Sequence, residues 1–537
     1  MKGMFTLGVT LALVFAAQAG AQASDQIVAV DSGFDPATNA FSFENYGGDA
    51  GYKNLTSVEM VRLFGEGVCS SMQGGTCTLS PVAEQWMNET SNAMKGGHCE
   101  GMAVLSALFY TNKLNPADFG AATVKDLQIV GNEKLQHEIA LWWATQATTP
   151  ARDAVIKGTP KEIVARLSQA LKPGKDAADT DSIGIYKRDG SDGHAVTPYA
   201  LQDKGEGVWN IMVYDNNYPN QARAIEVNTV TDTWSYSASI NPGVEAALYE
   251  GDASTKTLDL TPSVPRLKEQ ACPFCAPSAQ ANVQTTLRGA APTGVRYNQL
   301  FIEGGGVRAL ITDEQGHRLG RIGNKLVNEI PGAFVREAKN GVEFWAQDED
   351  PVFHVPQGIK FSVTLDGSAL QKDTVAQIAM IGPGYSLDVQ DIKLKPAQKD
   401  VLNVSPDGKK LSYTPGQGES PDIVLAVEGK TVDHEFFVKG FDLESGGSVN
   451  VNLDVVKGQL QISTVGNKKA GSYDLTVTRY DDKGTQEFGG TFTLEPADTV
   501  YADYLKWQGN GKPLSVEFDY KSDGSIDETA ELEDLQK

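Results

Sequence analysis

One cysteine in this sequence has the neighbours that a reactive thiol needs. Cys99 lies in the stretch KGGHCEGMAVLSALFY, after two glycines and His98 and before an apolar run of helical character. A thiol attacks as thiolate, and both a helix N-terminus and a nearby base favour that form. Free N–H groups at a helix start could also bind an oxyanion. His98 is a poor base because consecutive residues at a helix start point in different directions.

The cysteine count bears on the role of Cys99. The chain contains five cysteines. In an oxidising compartment, short separations favour disulfides between Cys69 and Cys77 and between Cys272 and Cys275. Cys99 is then left over, and an unpaired thiol in an exported chain calls for a reason. The alternative is that Cys99 is a small buried side chain, as free cysteines commonly are.

A base for the thiol is predicted further along the chain. A hairpin that turns through residues 203–207 places His194 opposite Asn216, and a slip of one residue places it opposite Asp215 or Asn217. Any of these three side chains could hold the imidazole by a hydrogen bond, so that its other nitrogen faces the thiol. The spacing therefore predicts a His–Asn or His–Asp pair.

These motifs together resemble the papain-like fold. The matching pieces are GGHCEGM, GHAVTPY and VYDNNYP, and the similarity covers roughly residues 40–250. This superfamily includes papain-type cysteine peptidases, the bacterial double-glycine leader peptidases and, more distantly, transglutaminases. The resemblance implies that Cys99 attacks a carbonyl, that His194 moves the proton, and that Asn216 or Asp215 orients His194.

The sequence departs from the papain-type pattern on both sides of the cysteine. Papain-type enzymes complete the oxyanion hole with a glutamine shortly before the cysteine. Here Asn92 is the candidate for that role, with Asn88 and Gln85 as further choices. Glu100 stands where papain-type enzymes have an aromatic residue, which predicts a different substrate cleft.

The elements that must position these residues change in character near residue 270. Helical and strand-like segments mix before that point, and short strands with turns dominate after it. This order predicts an α+β papain-like N-terminal domain followed by all-β, β-sandwich-like C-terminal domains. The expected divisions are a signal peptide at 1–23, a papain-like thiol domain at 24–260, a linker with the CxxC motif at 261–295, a β-domain at 296–370 and a second β-rich domain at 371–537.

Local signals mark several elements of the first part. Thr159, Pro160 and Glu162 form the start of a helix with a capping box. Apolar spacing predicts helices at 100–112 and about 134–146. Alternation predicts strands at 182–186, 193–202 and 208–214.

The N-terminus and the overall charge indicate where the protein acts. Lys2 is followed by an apolar run at 4–17 and by small residues, which is typical of a secretory signal peptide. We therefore expect a secreted protein, extracellular or periplasmic, with no integral membrane segment. The formal net charge of −23 argues against nucleic acid and anionic membranes as partners. The expected partners are a peptide or protein substrate and a surface ligand of the β-domains.

Two stretches of the sequence contain residues that could bind a metal ion. Asp519, Asp523 and Asp527 surround a glycine and resemble the start of an EF-hand-type calcium loop, but Lys521 occupies a ligand position. A solvated acidic hairpin is the alternative. The CxxC motif lies in a Pro- and Ala-rich stretch, so we expect a structural disulfide there rather than a redox or zinc site. No other cofactor is expected.

These observations lead to three functional hypotheses. The first is a secreted thiol hydrolase, a cysteine peptidase or amidase that acts through a Cys-His-Asn/Asp site and a thioester intermediate. The second is a non-catalytic secreted binding or adhesion protein with a degenerate papain-like domain. The third is a transglutaminase-like acyl transferase. The first and third require Cys99, His194 and their partner to meet in an open cleft.

Overall fold

The fold is that of a computed structural model of the whole chain. It describes residues 27, 29–48, 51–174, 180–190, 192–238, 247–276, 294–323, 325–336, 338–339 and 351–535. The predicted signal peptide at 1–23 and residues 277–293 of the predicted linker lie outside these ranges. Within them, no helix is both long and apolar enough to cross a membrane.

All α-helices of the described residues come before residue 175. They are α1 (Pro36–Asn39), α2 (Ser57–Phe64), α3 (Pro81–Ala93), α4 (Cys99–Tyr110), α5 (Glu133–Ala144) and α6 (Pro160–Ala170). Helix α6 begins as the sequence predicts, because the Thr159 side chain accepts from the main-chain N–H of Glu162 and the Glu162 side chain accepts from that of Thr159. Helix α4 is buried along its whole length and packs against α5.

The strands of the N-terminal part form one large antiparallel sheet and one hairpin. The hairpin consists of β2 (Cys69–Gln73) and β3 (Thr76–Leu79). The sheet contains β1 (Val30–Asp31), β4 (Ile156–Lys157), β5 (Asp181–Ile185), β6 (His194–Gly205), β7 (Val208–Tyr214), β8 (Arg223–Asn228), β9 (Thr233–Ala238), β10 (Ala247–Asp252) and β11 (Leu258–Pro262). Its order is β10-β9-β8-β7-β6-β5-β11-β4, with β1 paired to β6.

The C-terminal part is all β, as predicted, and its strands form two sheets. The first has the order β16-β17-β12-β19-β20-β23-β24-β27-β28, and it contains β12 (Tyr297–Glu303), β16 (Phe334–Arg336), β17 (Val352–Pro356), β19 (Thr374–Gly382), β20 (Tyr385–Leu394), β23 (Asp422–Val427), β24 (Asp433–Lys439), β27 (Gly471–Asp481) and β28 (Gly484–Leu494).

The second sheet has the order β15-β14-β13-β18-β21-β22-β25-β26-β29-β30-β31. Its strands are β13 (Arg308–Asp313), β14 (Arg318–Ile322), β15 (Lys325–Asn328), β18 (Phe361–Asp366), β21 (Lys399–Val404), β22 (Lys410–Thr414), β25 (Ser448–Asp454), β26 (Gln459–Val465), β29 (Thr499–Asp503), β30 (Leu514–Asp519) and β31 (Glu528–Leu532).

The predicted division at residue 370 does not coincide with a break in either sheet. Strand β12 pairs with β19, and β18 pairs with β21, so each sheet continues across that position. Buried side chains from both sheets, from Leu300 to Phe518, form one continuous core. The described residues from 294 onward therefore form a single two-sheet unit, because hairpins alternate between the sheets along the chain.

The first half of the predicted linker is a packed element rather than an exposed connection. Phe274 is fully buried between the CxxC cysteines and contacts the rings of Phe64 and Trp86. Its carbonyl oxygen accepts from the N–H of Gly384 in the β-unit at 2.7 Å. Apolar residues from both parts of the chain share this core. The CxxC turn therefore joins the helices to the two-sheet unit.

Candidate active site

Cys99 is the first residue of α4, where the predicted helix start places it. The turn before it needs glycine, since Gly97 has a φ of 134° that other residues rarely adopt. The main-chain N–H of His98 donates to Asn45 Oδ1 at 2.7 Å, and the first intrahelical bond runs from Met102 N to His98 O. The N–H groups before Met102 in the first turn, including that of Cys99, therefore make no hydrogen bond within the helix.

The close packing of α4 fixes the position of this turn. Gly101 faces α5 so closely that a Cβ atom there would lie 2.1 Å from the carbonyl oxygen of Ile139. A larger residue would push the two helices apart and move Cys99 with them. Gly101 therefore allows the close contact between α4 and α5 that determines the position of Cys99.

His194 begins β6 and is held by Asp215, which follows β7. His194 Nε2 lies 2.8 Å from Asp215 Oδ1, and both side chains are fully buried. Asp215 Oδ1 also accepts from the N–H of Asn217 at 2.9 Å, and its Oδ2 accepts from the Tyr236 hydroxyl at 2.5 Å. With Nε2 engaged, Nδ1 has no hydrogen-bond partner among the described residues.

Electrostatics favour a charged imidazole. Burial is the largest influence on the pKa of His194 and lowers it, but the Asp215 carboxylate and the Cys99 sulfur outweigh burial and raise this pKa to about 10. Burial raises the pKa of Asp215, whereas the His194 imidazolium and the Tyr236 hydroxyl lower it, and the net direction is down. The same carboxylate that orients the ring therefore keeps it protonated at neutral pH.

Asn216 reaches the site, but its side chain holds the backbone rather than the imidazole. Its Nδ2 donates to the carbonyl oxygens of Cys99 at 3.1 Å and of Ala195 at 3.0 Å. It thereby joins the start of α4 to the start of β6, next to the thiol and the ring. Of the alternatives that the sequence left open, Asp215 orients His194 and Asn216 links the two elements.

His98 has a structural role, as its position beside Cys99 predicts. Its ring stacks on Tyr46, with Nδ1 2.7 Å from the Tyr46 carbonyl oxygen and Nε2 2.9 Å from Asn54 Oδ1. Burial lowers the pKa of His98 to about 4. The contacts of its ring with Tyr46 and Asn54 anchor the turn before Cys99.

The oxyanion candidate Asn92 is committed elsewhere. It lies near the end of α3, and its Nδ2 donates to Glu303 Oε1 of the β-unit at 2.7 Å. Asn92 lies close to Cys99 in sequence, but the helix directs its side chain towards the β-unit. Of the further choices, Gln85 donates to Glu89 Oε1 at 2.8 Å and Asn88 is exposed, so the N–H groups at the start of α4 are the donors that remain from the sequence prediction.

The site is closed by a segment of the chain's own β-unit. Cys99 Sγ donates to the carbonyl oxygen of Lys339 at 3.2 Å, and Cys99 is fully buried. Lys339 follows β16 and its main-chain N–H donates to Gln146 Oε1 at 2.8 Å. The catalytic hypotheses require an open cleft at the sulfur, but the carbonyl group of Lys339 lies there instead.

Next to this segment lies a cavity between the two parts of the chain. Its volume is about 390 Å³, and its wall includes Gln146, Tyr186, Asp259, Thr261, Val335 and Lys339. The cavity reaches the Lys339 side chain, whereas Cys99 and His194 lie behind it and are fully buried.

Three residues of this site were missed by sequence reasoning. Tyr236 and Trp234 are both buried on β9, and the residue between them is less buried. This period-two pattern is the sequence signal that could have predicted that Tyr236 points inward. Gln146 and Lys339 meet Cys99 only through tertiary packing. No local pattern marks either of them.

The other predicted sites have clear outcomes. The disulfides Cys69–Cys77 and Cys272–Cys275 are confirmed, and Cys99 is the free cysteine.

The calcium hypothesis is not supported. Asp519 and Asp527 accept main-chain N–H bonds from their own turns, as does Asp523, so their carboxylates cap the backbone. Within the described residues, no group of three potential metal ligands converges.

The chain was compared with protein-family models, with curated proteins and with solved structures, and none of the three comparisons found a match.

Proposed function

We propose that this protein is a secreted thiol hydrolase, a cysteine peptidase or amidase with a papain-like N-terminal domain. The observation that carries the proposal is the contact between Asp215 and His194, whose ring also interacts electrostatically with the Cys99 sulfur. A nucleophile, a base and a group that orients the base are the three parts of such a site.

Each residue has one task in the reaction. The Cys99 thiolate attacks the carbonyl carbon of an amide, a C–S bond forms, and the carbonyl electron pair moves to the oxygen. The C–N bond then breaks, and the amine leaves with the proton of the His194 imidazolium. Water next gives a proton to His194 and attacks the thioester carbonyl. The C–S bond breaks, which releases a carboxylic acid and restores the thiolate and the imidazolium.

Electrostatics support this assignment. The Asp215 carboxylate holds the ring by Nε2 and favours its protonated form, so the ring can stabilise a thiolate and donate to the leaving amine. The developing oxyanion would meet the N–H groups of the first turn of α4 and the positive end of its dipole.

A non-catalytic binding protein is the second candidate. Complete burial of Cys99 beneath Lys339 favours it, because a permanently covered thiol performs no chemistry. The two candidates differ in one respect: a hydrolase must uncover the sulfur, and a binding protein need not.

The test compares the mature chain with its Lys339→Gln and Lys339→Gln/Cys99→Ser variants on a mixture of unfolded protein substrates. The proposal predicts new amino termini, identified by mass spectrometry, that appear with the Lys339→Gln chain and disappear when Cys99 is replaced. If neither the mature chain nor the Lys339→Gln variant cleaves the substrates, or if cleavage persists in the Lys339→Gln/Cys99→Ser variant, the binding protein is favoured.

A further inference from the structure

The Lys339 segment lies against Cys99 in the manner of a bound peptide. Its carbonyl oxygen is 3.2 Å from Cys99 Sγ, and its N–H is anchored 2.8 Å from Gln146 Oε1. A thiol hydrolase also holds a substrate carbonyl group beside its sulfur and fixes the main chain, although attack requires the carbonyl carbon to face the sulfur. Here the oxygen of Lys339 faces Sγ, so the segment occupies the site without being attacked.

The side chain of Lys339 enters a pocket built from acceptors. Nζ lies 2.9 Å from Asp259 Oδ1, 3.1 Å from Thr261 Oγ1 and 3.9 Å from Glu100 Oε2. Lys339 is only 4% exposed. Burying an ammonium group is costly unless charges and hydrogen bonds compensate, and this pocket supplies both. The arrangement suits a compact ammonium with three donors.

The charges of the pocket require a cation from outside it. Asp259 and Glu100 are both buried, and Arg266 binds Glu100 through Oε1. Glu100 Oε2 has no hydrogen-bond partner among the described residues. Arg266 is the ion-pair partner of Glu100, and the ammonium of Lys339 is the ion-pair partner of Asp259, although Arg152, Lys157 and Arg336 line the same cavity at greater distance. Asp259 and Glu100 raise the pKa of Lys339 against burial, which lowers it.

Two glycines leave space for the segment. A Cβ atom on Gly184 would lie 2.5 Å from Asp259 Oδ1, 2.7 Å from Lys339 Cε and 2.9 Å from its Nζ. A Cβ atom on Gly193, directly before His194, would lie 2.8 Å from the Tyr186 ring and 3.0 Å from the carbonyl oxygen of Ala338. Neither glycine has a φ that excludes other residues, so the space they leave serves the groove rather than the backbone.

We propose that Asp259, Glu100 and Thr261 form a specificity pocket for lysine, that substrates are polypeptides cleaved on the carbonyl side of a lysine, and that Lys339 is an internal occupant that competes with them. This inference rests on the proposed hydrolase function. It explains why Glu100 stands next to the nucleophile, since its carboxylate forms part of the pocket wall. It also explains the closed state of the site.

The test uses acetyl-Val-Arg-Glu-Ala-Lys coumarylamide, which repeats residues 335–339, and the matched peptide with norleucine, a neutral analogue of similar length, in place of lysine. Both are given to the full mature chain, to its Lys339→Gln variant and to a Lys360→Gln control, in which an exposed lysine of the same β-unit changes. The expected preference for lysine over norleucine is about 100-fold in kcat/KM, because norleucine leaves the carboxylates unpaired. Lys339→Gln raises the rate, and the control does not.

A second variant tests whether Asp259 causes the preference for lysine over norleucine. Asp259→Asn in the Lys339→Gln chain should lower kcat/KM for the lysine peptide by about 10-fold or more while the norleucine peptide keeps its rate. Equal rates for the two peptides, or no cleavage of the lysine peptide, would overturn the inference.

Labelling of Cys99 by iodoacetamide in the same samples separates the two levels of the account. Labelling that depends on His194 in a chain without lysine preference refutes the pocket and leaves the hydrolase. If the labelling rate of Cys99 is the same with and without His194, the hydrolase proposal is refuted, and the proposed lysine pocket is refuted with it.

Discussion

The sulfur of Cys99 and the carbonyl oxygen of Lys339 lie 3.2 Å apart, although 240 positions separate these residues in the chain. The contact joins the start of a buried helix to the end of strand β16 in the two-sheet unit. It means that the β-unit occupies the candidate site as well as packing against it. The reactivity of the thiol therefore depends on both parts of the chain.

Asp215→Asn tests the orienting role of the carboxylate. In the Lys339→Gln chain we expect kcat for peptide hydrolysis to fall by about 100-fold or more with little change in KM, because the imidazole loses its fixed orientation and its stabilised charge. Asp313→Asn is the matched control, since Asp313 lies 2.9 Å from a half-exposed histidine, His317, in the β-unit. A loss of equal size in both variants would contradict the assignment.

The protonation of His194 gives a prediction about pH. Its pKa is about 10 in the folded chain against 6.5 for an ordinary histidine, so proton binding stabilises the fold. This contribution is complete below pH 6.5 and is lost as the pH rises through about 10. NMR of histidine-labelled protein should show one ring that stays protonated at pH 8, and Asp215→Asn should bring its titration to lower pH. A His194 signal that titrates near 6.5 would contradict the buried ion pair.

Gly184→Ala should displace the internal lysine. The new methyl group would overlap both Asp259 Oδ1 and Lys339 Cε, so we expect their ion pair to break and the segment to leave the site, with a loss of about 1–3 kcal/mol in the free energy of unfolding. Cys99 of the full chain should then react faster with iodoacetamide. Gly305→Ala is the control, because a Cβ atom there meets nothing within 4 Å. Equal labelling rates in the two variants would show that Gly184 does not shape the groove.

Phe274→Ala tests the packing of the CxxC turn. Removal of this fully buried ring from its contacts with Phe64 and Trp86 should lower the free energy of unfolding by about 3–5 kcal/mol. Phe437→Ala, at a half-buried position on β24, should cost clearly less. Urea unfolding of both variants measures the difference. A Phe274 variant as stable as the control would mean that this turn is a loose connection after all.

The sequence predicted the elements of the site better than their contacts. The glycines before Cys99 and the apolar run after it mark a helix start, and alternation marks β6 and β7, because these signals are local. The choice between Asp215 and Asn216 depended on register. Irregularities between Pro198 and Ala200 and near the hairpin turn shift the pairing, and such bulges leave no clear sequence signal.

Longer-range features were less accessible. Asn92 was near Cys99 in sequence, yet its side chain binds the β-unit. Lys339 is one of many lysines in the chain, and nothing next to it in sequence marks its contact with Asp259. The division at residue 370 failed for a related reason, since turn residues separate strands but do not reveal which strands share a sheet. Packing between distant segments determines all three.

The most direct test of the central claim is the pH dependence of Cys99 alkylation by iodoacetamide in the non-reduced Lys339→Gln chain, with and without His194→Ala. If Cys99 and His194 form an activated pair, labelling at about pH 6 will be nearly as fast as at about pH 8, and His194→Ala will slow the pH 6 reaction by about 10-fold or more. Labelling that rises with pH as for an ordinary thiol, unchanged by His194→Ala, would contradict the account.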